Sequence, residues 1–478
     1  MNVHGTSDKV AAYDLSFVWR LSLVAAMGGL LFGYDWVVIG GAKPFYEKYF
    51  QLTTSFEIGW AMSCALLGCL AGALASGSLS DRWGRKPLLV LCGILFAGSS
   101  IGTALAHSFE IFVLNRIAGG AAIGLASNLS PMYIAEIAPA PLRGRLVSAN
   151  QLTIVIGILL AQLINWRIAE PVPAGFTAEQ IRASWNGQIG WRWMFGVTAI
   201  PAIFFFALMM LLPETPRWLA RNRQIGRARD VLARIGGDRY ADWCLAEVAA
   251  PMGKGSETVA LREIFAPRVL PLLMLGVVLA VFQQWCGINV VFNYAEEIFS
   301  AAGYKVSDIL FNIVITGAVN LASTLVAIFT CDRIGRRKLM LIGASGLAVV
   351  YTALGLAYHR HTTGPAVLAL VLAAIAFYAC SLAPITWVVL SEIFPNRIRA
   401  TAMSISVFAL WAACFVLTYT FPLLNARLGP AGTFWIYAAI CGAGFVFIER
   451  RLPETRGKTL ERIEQELVGT AMEGTDRK

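Results

Sequence analysis

The chain has 478 residues, 57% hydrophobic and only 14% charged, with a mean hydropathy of +0.64. A soluble domain carries roughly a quarter charged residues, so this composition excludes an ordinary soluble protein. The formal charge of +10 does not point to nucleic acid, because Lys and Arg sit in short clusters between apolar runs rather than in a basic stripe interleaved with aromatics.

A polar N-terminal tail, 1–16, lacks the apolar stretch and cleavage site of a signal peptide, so the first helix is retained. Apolar runs follow at 17–41, 57–80, 88–107, 111–133, 145–166 and 191–212, on the scale of the ~20 residues that cross a bilayer. The polar interval 213–268 carries ten Lys or Arg and alternates Arg with apolar residues between 221 and 235. That pattern suits short amphipathic helices lying under a membrane. Six more runs resume at 269–295, 307–331, 339–358, 364–391, 400–424 and 431–449, ahead of a polar tail at 451–478. The expected fold is an all-α membrane protein of twelve spanning helices, with six-helix bundles at 17–212 and 269–450 joined by the cytoplasmic linker.

Alternate loops hold the basic residues, among them Arg82, Arg85 and Lys86, then Arg333, Arg336, Arg337 and Lys338. The opposite loops are sparse, with Lys43, Lys48, Lys305 and Arg360. Basic loops stay in the cytoplasm, which places both termini and the linker there. Most of the nine cysteines, among them Cys64, Cys69, Cys92, Cys286, Cys380 and Cys414, are single residues inside apolar runs, without CxxC spacing, so neither a disulfide framework nor a metal site is indicated. His4, His107, His359 and His361 fall in the tail or outer loops, and neither a nucleophile–base pair nor a phosphate loop appears. An enzyme is disfavoured and no cofactor is implied.

Three strings recur in order in the two halves: Asp81 to Lys86 (DRWGRK) with Asp332 to Arg337 (DRIGRR), Glu136 to Arg143 (EIAPAPLR) with Glu392 to Arg399 (EIFPNRIR), and Pro213-Glu-Thr with Pro453-Glu-Thr. Their offsets of 240 to 256 residues indicate a duplicated six-helix unit. Two parallel repeats with a site at their interface is carrier architecture. The repeated charges Arg85, Glu136, Arg143, Glu214, Arg336, Glu392, Arg399 and Glu454 fall at cytoplasmic helix ends. Ion pairs there, where the halves meet, would close the inner mouth in one state and break in the other.

The strings DRWGRK, PETPRWL and PETRGKTLE, with GGLLFGYDWVVIGGA and FQQWCGINVVFNYA, resemble the sugar porter family of the major facilitator superfamily over about Leu21 to Leu467. DRxGRK is shared by many facilitators; PETPRWL with QQWCGIN is far more selective. The resemblance implies a monosaccharide carrier working by alternating access in a lipid bilayer and functional as a monomer.

Within the apolar runs two ionisable residues stand out, Asp35 and Arg116. A charge in a spanning helix is costly and normally pairs or lines a cavity. With the first helix ending near Gly41 and the fourth beginning near Ile111, both fall roughly 8–9 Å below the outer surface at 1.5 Å per residue. A partner cation lowers a carboxyl's proton affinity and desolvation raises it, so a pair that separates in one state couples proton release to helix movement. A static lock between two helices is the other reading. The resemblance favours coupling, since proton-coupled sugar porters carry an Asp here and facilitative ones commonly do not.

Sugar hydroxyls need donors and acceptors together, which neutral amides supply. Gln151, Gln283, Gln284, Asn289 and Asn320 lie within helices, Gly287 is placed to loosen the seventh, and Phe32, Trp387 and Trp411 offer stacking surfaces. Interhelical hydrogen bonds are the ordinary alternative for a lone amide. The resemblance carries sugar contacts onto Gln151, Gln283, Gln284, Asn289, Asn320 and Trp387. The chain departs from the family pattern at Ile158, where some proton-coupled members have Gln, at Asn293, usually Tyr, and at Ala383, commonly Gly. A hexose or pentose such as glucose or xylose is expected, imported with protons. A facilitative uniporter, which Ile158 favours, and a carrier of a polyol such as inositol are the alternatives. A non-transporting sensor needs a longer tail.

Overall fold

The computed structural model describes residues 13–139, 141–173, 175–252, 265–267, 269–394 and 398–454, without the side chains of 247–252, 307, 331–332, 391 and 399–400. The expected tails beyond 13 and 454, and the linker between 253 and 264, lie outside the described residues. Regular structure among the described residues is helical throughout.

The first half contains α1 (Leu15–Phe50), α2 (Ser55–Trp83), α3 (Arg85–Ala104), α4 (Phe109–Ile137), α5 (Arg143–Ile168) and α6 (Asn186–Leu211). Their starts follow from local chemistry. Asp14 accepts from the Phe17 N–H, Ser108 from the Ile111 N–H, and Thr54 with Glu57 forms a reciprocal capping box. The second half contains α7 (Leu270–Asn293), α8 (Val306–Ile334), α9 (Arg336–His359) and α10 (Pro365–Leu390). It ends in a helical run, Arg399–Arg451, of 53 residues. At 1.5 Å per residue that run would span about 80 Å, more than two bilayer cores. Gly429, at φ 69° and followed by Pro430, breaks it. The two parts are α11 (399–428) and α12 (430–451), which makes twelve crossings. The linker includes helices Pro216–Arg221 and Ile225–Met252, the second bent at Gly236 and Gly237.

One boundary differs from the sequence expectation. The apolar run that ends near Gly41 belongs to a helix that continues to Phe50 through Lys43, Pro44 and Glu47. Lys43 and Glu47 face each other one turn apart at 2.9 Å, so they support the helix that their charges seem to terminate.

Small residues let the helices touch at the backbone, the means by which membrane helices gain van der Waals contact. Gly68 of α2 packs on the Ile117 carbonyl of α4, and Gly120 of α4 packs on the Ala65 carbonyl of α2. Gly33 of α1 and Gly157 of α5 repeat the exchange against Ile154 and Leu30. The halves meet where α2 packs on α11, with Gly59 against the Tyr419 carbonyl, and where α5 packs on α8, with Gly317 against Gln162. Gly120→Val drives a side chain into that carbonyl. It is expected to cost about 1–3 kcal/mol, the usual range for overpacking, read as a lower melting temperature in detergent, whereas the same change at Gly98, which faces open space, leaves melting unchanged.

Candidate functional site

The deepest charges in the first half are in contact. Arg116 Nη1 donates to Asp35 Oδ1 at 2.8 Å and Nη2 to the Asp35 carbonyl at 3.2 Å, with Asp35 2% and Arg116 3% exposed. The guanidinium also lies over the Phe195 ring of α6, 5.3 Å from its centroid. Asp35 Oδ2 is buried and receives no hydrogen bond among the described residues. One carboxylate oxygen is therefore held by the cation while the other has no hydrogen-bond donor among the described residues.

Beside this pair, aromatic rings span the two halves. Phe32 and Trp36 of α1 meet Trp411 of α11, with centroids 5.9 and 5.7 Å from the Trp411 ring. Phe32 and Trp36 are 6.3 Å apart and edge-on. Trp411 Nε1 is buried without an acceptor among the described residues. A buried N–H left unmatched costs roughly 1–3 kcal/mol, which a ligand oxygen would recover. Trp36 did not figure in the sequence reading; its signal was its position next to Asp35, one helical turn after Phe32.

The amides of α7 converge. Gln284 donates to Gln283 Oε1 at 2.7 Å, and Asn289 donates to Gln284 Oε1 and to the Cys414 sulfur of α11. Gly287 makes this possible. At φ 87° it separates Leu270–Trp285 from Ile288–Asn293, and a Cβ there would lie 2.8 Å from the Tyr437 ring. The break turns Asn289 back toward Gln284. A second break, at Ser381, divides α10 six residues before the half-buried Trp387. Gln283, Gln284, Asn289 and Asn320 are buried and Gln151 is half-buried. Gln162, Asn165 and Asn293 also carry buried amide oxygens without a donor among the described residues, and sequence reasoning passed over the first two.

The repeated charges make the following contacts within each half. Arg85 binds Glu136 at 3.0 Å, and Glu214 accepts from the Arg85 and Lys86 N–H groups at the start of α3. Arg336 binds Glu392 at 3.1 Å, and Glu454 accepts from the Arg336 and Arg337 N–H groups at the start of α9. Each of these contacts joins helices of one half. The motif builds a helix cap plus an ion pair, a staple within each bundle. Burial pushes the Glu214 carboxyl above the ordinary range, while its three backbone donors hold it down in part. Arg143 is exposed, and the Arg399 side chain lies outside the described ones.

Two repeated halves of six helices, with broken helices and amides where they meet, define a major facilitator carrier. The chain belongs to the sugar transporter family: the family model described as "Sugar (and other) transporter" matches residues 21–467. It is similar to the D-xylose-proton symporter of Escherichia coli (strain K12), 37% identical over 483 residues that cover 95% of this chain and 96% of that one. It is also 36% identical over 455 residues to the arabinose-proton symporter of Bacillus subtilis (strain 168), covering 95% and 96%. The inward-open conformation of the xylose transporter XylE from E. coli matches with a TM-score of 0.82 and 36% identity, over 94% of this chain and 99% of that one.

Arg116→Leu strands the Asp35 carboxylate in the protein interior. Breaking a buried pair this way costs about 3–5 kcal/mol, so the variant is expected to melt well below wild type. Arg116→Leu combined with Asp35→Asn is expected to recover most of that loss, a non-additivity that a double-mutant cycle in detergent measures.

Proposed function

We propose that the protein imports a monosaccharide, a pentose such as xylose or a hexose such as glucose, together with a proton by alternating access. The observation that carries this reading is the Asp35–Arg116 contact, with Asp35 Oδ2 left open, on the helix that also presents Phe32 and Trp36 to the cleft. The relatives named xylose-proton and arabinose-proton symporters support it. The proton occupies Asp35 and releases Arg116; loss of the proton restores the pair. Because the pair ties α1 to α4, the two protonation states favour different packing of α1, and the substrate on α1, α7, α10 and α11 senses the difference.

Substrate recognition falls to Gln151, Gln283, Gln284, Asn289 and Asn320 for the hydroxyls, with Phe32, Trp387 and Trp411 against the ring. Trp411 Nε1–H is a donor in want of an oxygen. The staples built on Arg85, Glu136, Glu214, Arg336, Glu392 and Glu454 keep each half rigid, so that the halves move as bodies. In this reading the protein is a carrier rather than an enzyme, acts as a monomer in the inner membrane, and holds both termini in the cytoplasm. Passive uniport is the second reading. Ile158, at the buried face of α5 near Gln151, favours it, and Asp35 opposes it.

A panel of labelled pentoses and hexoses in proteoliposomes, with and without a pH gradient, decides between these. Symport predicts accumulation of at least one of them under the gradient and its loss with a protonophore. Asp35→Asn is expected to abolish accumulation while exchange of labelled sugar continues. Accumulation by that variant would remove Asp35 from coupling, and failure of every monosaccharide would remove the sugar.

A further inference from the structure

A second ionisable cluster lies at the outer end of α1. The Lys43 side chain is 2% exposed and its ammonium lies 2.9 Å from Glu47, 2.5 Å from Glu297 and 3.3 Å from Glu296. Glu296 and Glu297 belong to the short helix Ala295–Ala301 that follows α7, so the cluster bridges the two halves. The Tyr294 ring completes the enclosure, its centroid 5.9 Å from Lys43 Nζ. Gly40 permits the approach: a Cβ there would lie 2.9 Å from the Phe292 carbonyl oxygen and 3.2 Å from that of Asn293.

The groups facing the cluster do not balance it. Tyr46, with its hydroxyl on the Met62 sulfur, and Lys48 come from α1, Cys64 from α2, and Tyr294 from the end of α7. Lys48 is a half-buried cation at the rim. Three ionised carboxylates around one buried ammonium leave the closed contact with excess negative charge. Like charges sharing a desolvated site do not all ionise; one takes a proton. Glu297 Oε2 is buried and receives no hydrogen bond among the described residues, which leaves it open to that proton.

We propose that Lys43, Glu47, Glu296 and Glu297 form a proton-loaded outer gate, which closes on Lys43 when one carboxylate takes a proton from the outer solution and returns it to that side on opening. The inference rests on the alternating-access reading above. It differs from the Asp35 step in consequence: a proton that leaves on the side it entered changes how often the mouth opens, not how many protons accompany a sugar. Acid outside favours the closed mouth, and alkali favours the open one.

The gate is tested without sugar. Spin labels at the exposed outer positions Thr53 and Lys305, one in each half, report the mouth by pulsed dipolar spectroscopy on the full chain in nanodiscs. Raising the pH from about 6 to about 9 is expected to change the closed-to-open ratio by about tenfold or more. Glu297→Gln, isosteric and one charge less, is expected to stay closed across the range. Lys43→Met is expected to stay open. Asp35→Asn, which removes the coupling carboxylate, is expected to move the ratio at any one pH and to keep its dependence on pH. A wild-type distance that ignores pH, or a Glu297→Gln distance that follows it, overturns the proposal. If the gate titrates but no sugar is carried, the substrate reading fails and the gate stands.

Discussion

A charge inside a bilayer has no water to answer it, so the protein must supply the counter-charge or the hydrogen bond itself. The packing of α1 follows from this constraint. Its Asp35 is met by Arg116 of α4, and its Lys43 by carboxylates from its own next turn and from beyond α7. One contact lies within a half and the other between halves. The first helix is thereby tied to both of the bodies whose relative movement a carrier needs.

The same accounting applies to the amides. Gln283, Gln284 and Asn289 satisfy one another where α7 breaks at Gly287, and Asn289 reaches Cys414 of α11. A straight α7 would carry the same amides on different faces. Breaking it brings them together and also leaves backbone groups near the cleft, which membrane proteins tolerate only where a cavity or another helix receives them. The aromatic group of Phe32, Trp36 and Trp411 then closes the apolar side of the cleft between the halves.

The charges at the two ends of the bundle divide the labour. At the end that carries the repeated motifs, Glu214 and Glu454 cap the helices that begin at Arg85 and Arg336, and the same arginines pair with Glu136 and Glu392. These contacts stiffen each half. At the opposite end, Lys43 reaches across to Glu296 and Glu297.

Much was readable from the chain alone because hydrophobic length, basic loops and internal repeats are local or additive signals. They yielded the helices, the duplication, and the level at which Asp35 and Arg116 face each other. The reading failed where charge and backbone disagreed. The apolar pattern ends the first helix near Gly41 and puts Lys43 in the following loop, yet the i,i+4 attraction of Lys43 and Glu47 and the acids brought by Ala295–Ala301 let the helix run on to Phe50. Nor did the chain alone give any sign that, beside any latch between the halves, Arg85 and Arg336 pair with Glu136 and Glu392 of their own half and that Glu214 and Glu454 cap the helices those arginines begin. Gln162 and Asn165 left no distinctive pattern, and the place of Trp36 beside Asp35 was passed over. Which side chain meets which across a bundle depends on helix rotation, tilt and breaks such as Gly287, and those are set by packing of the whole chain. The sequence determined that charges had to be buried; only the tertiary structure decided which partners would neutralise them, because that choice is a matter of distance.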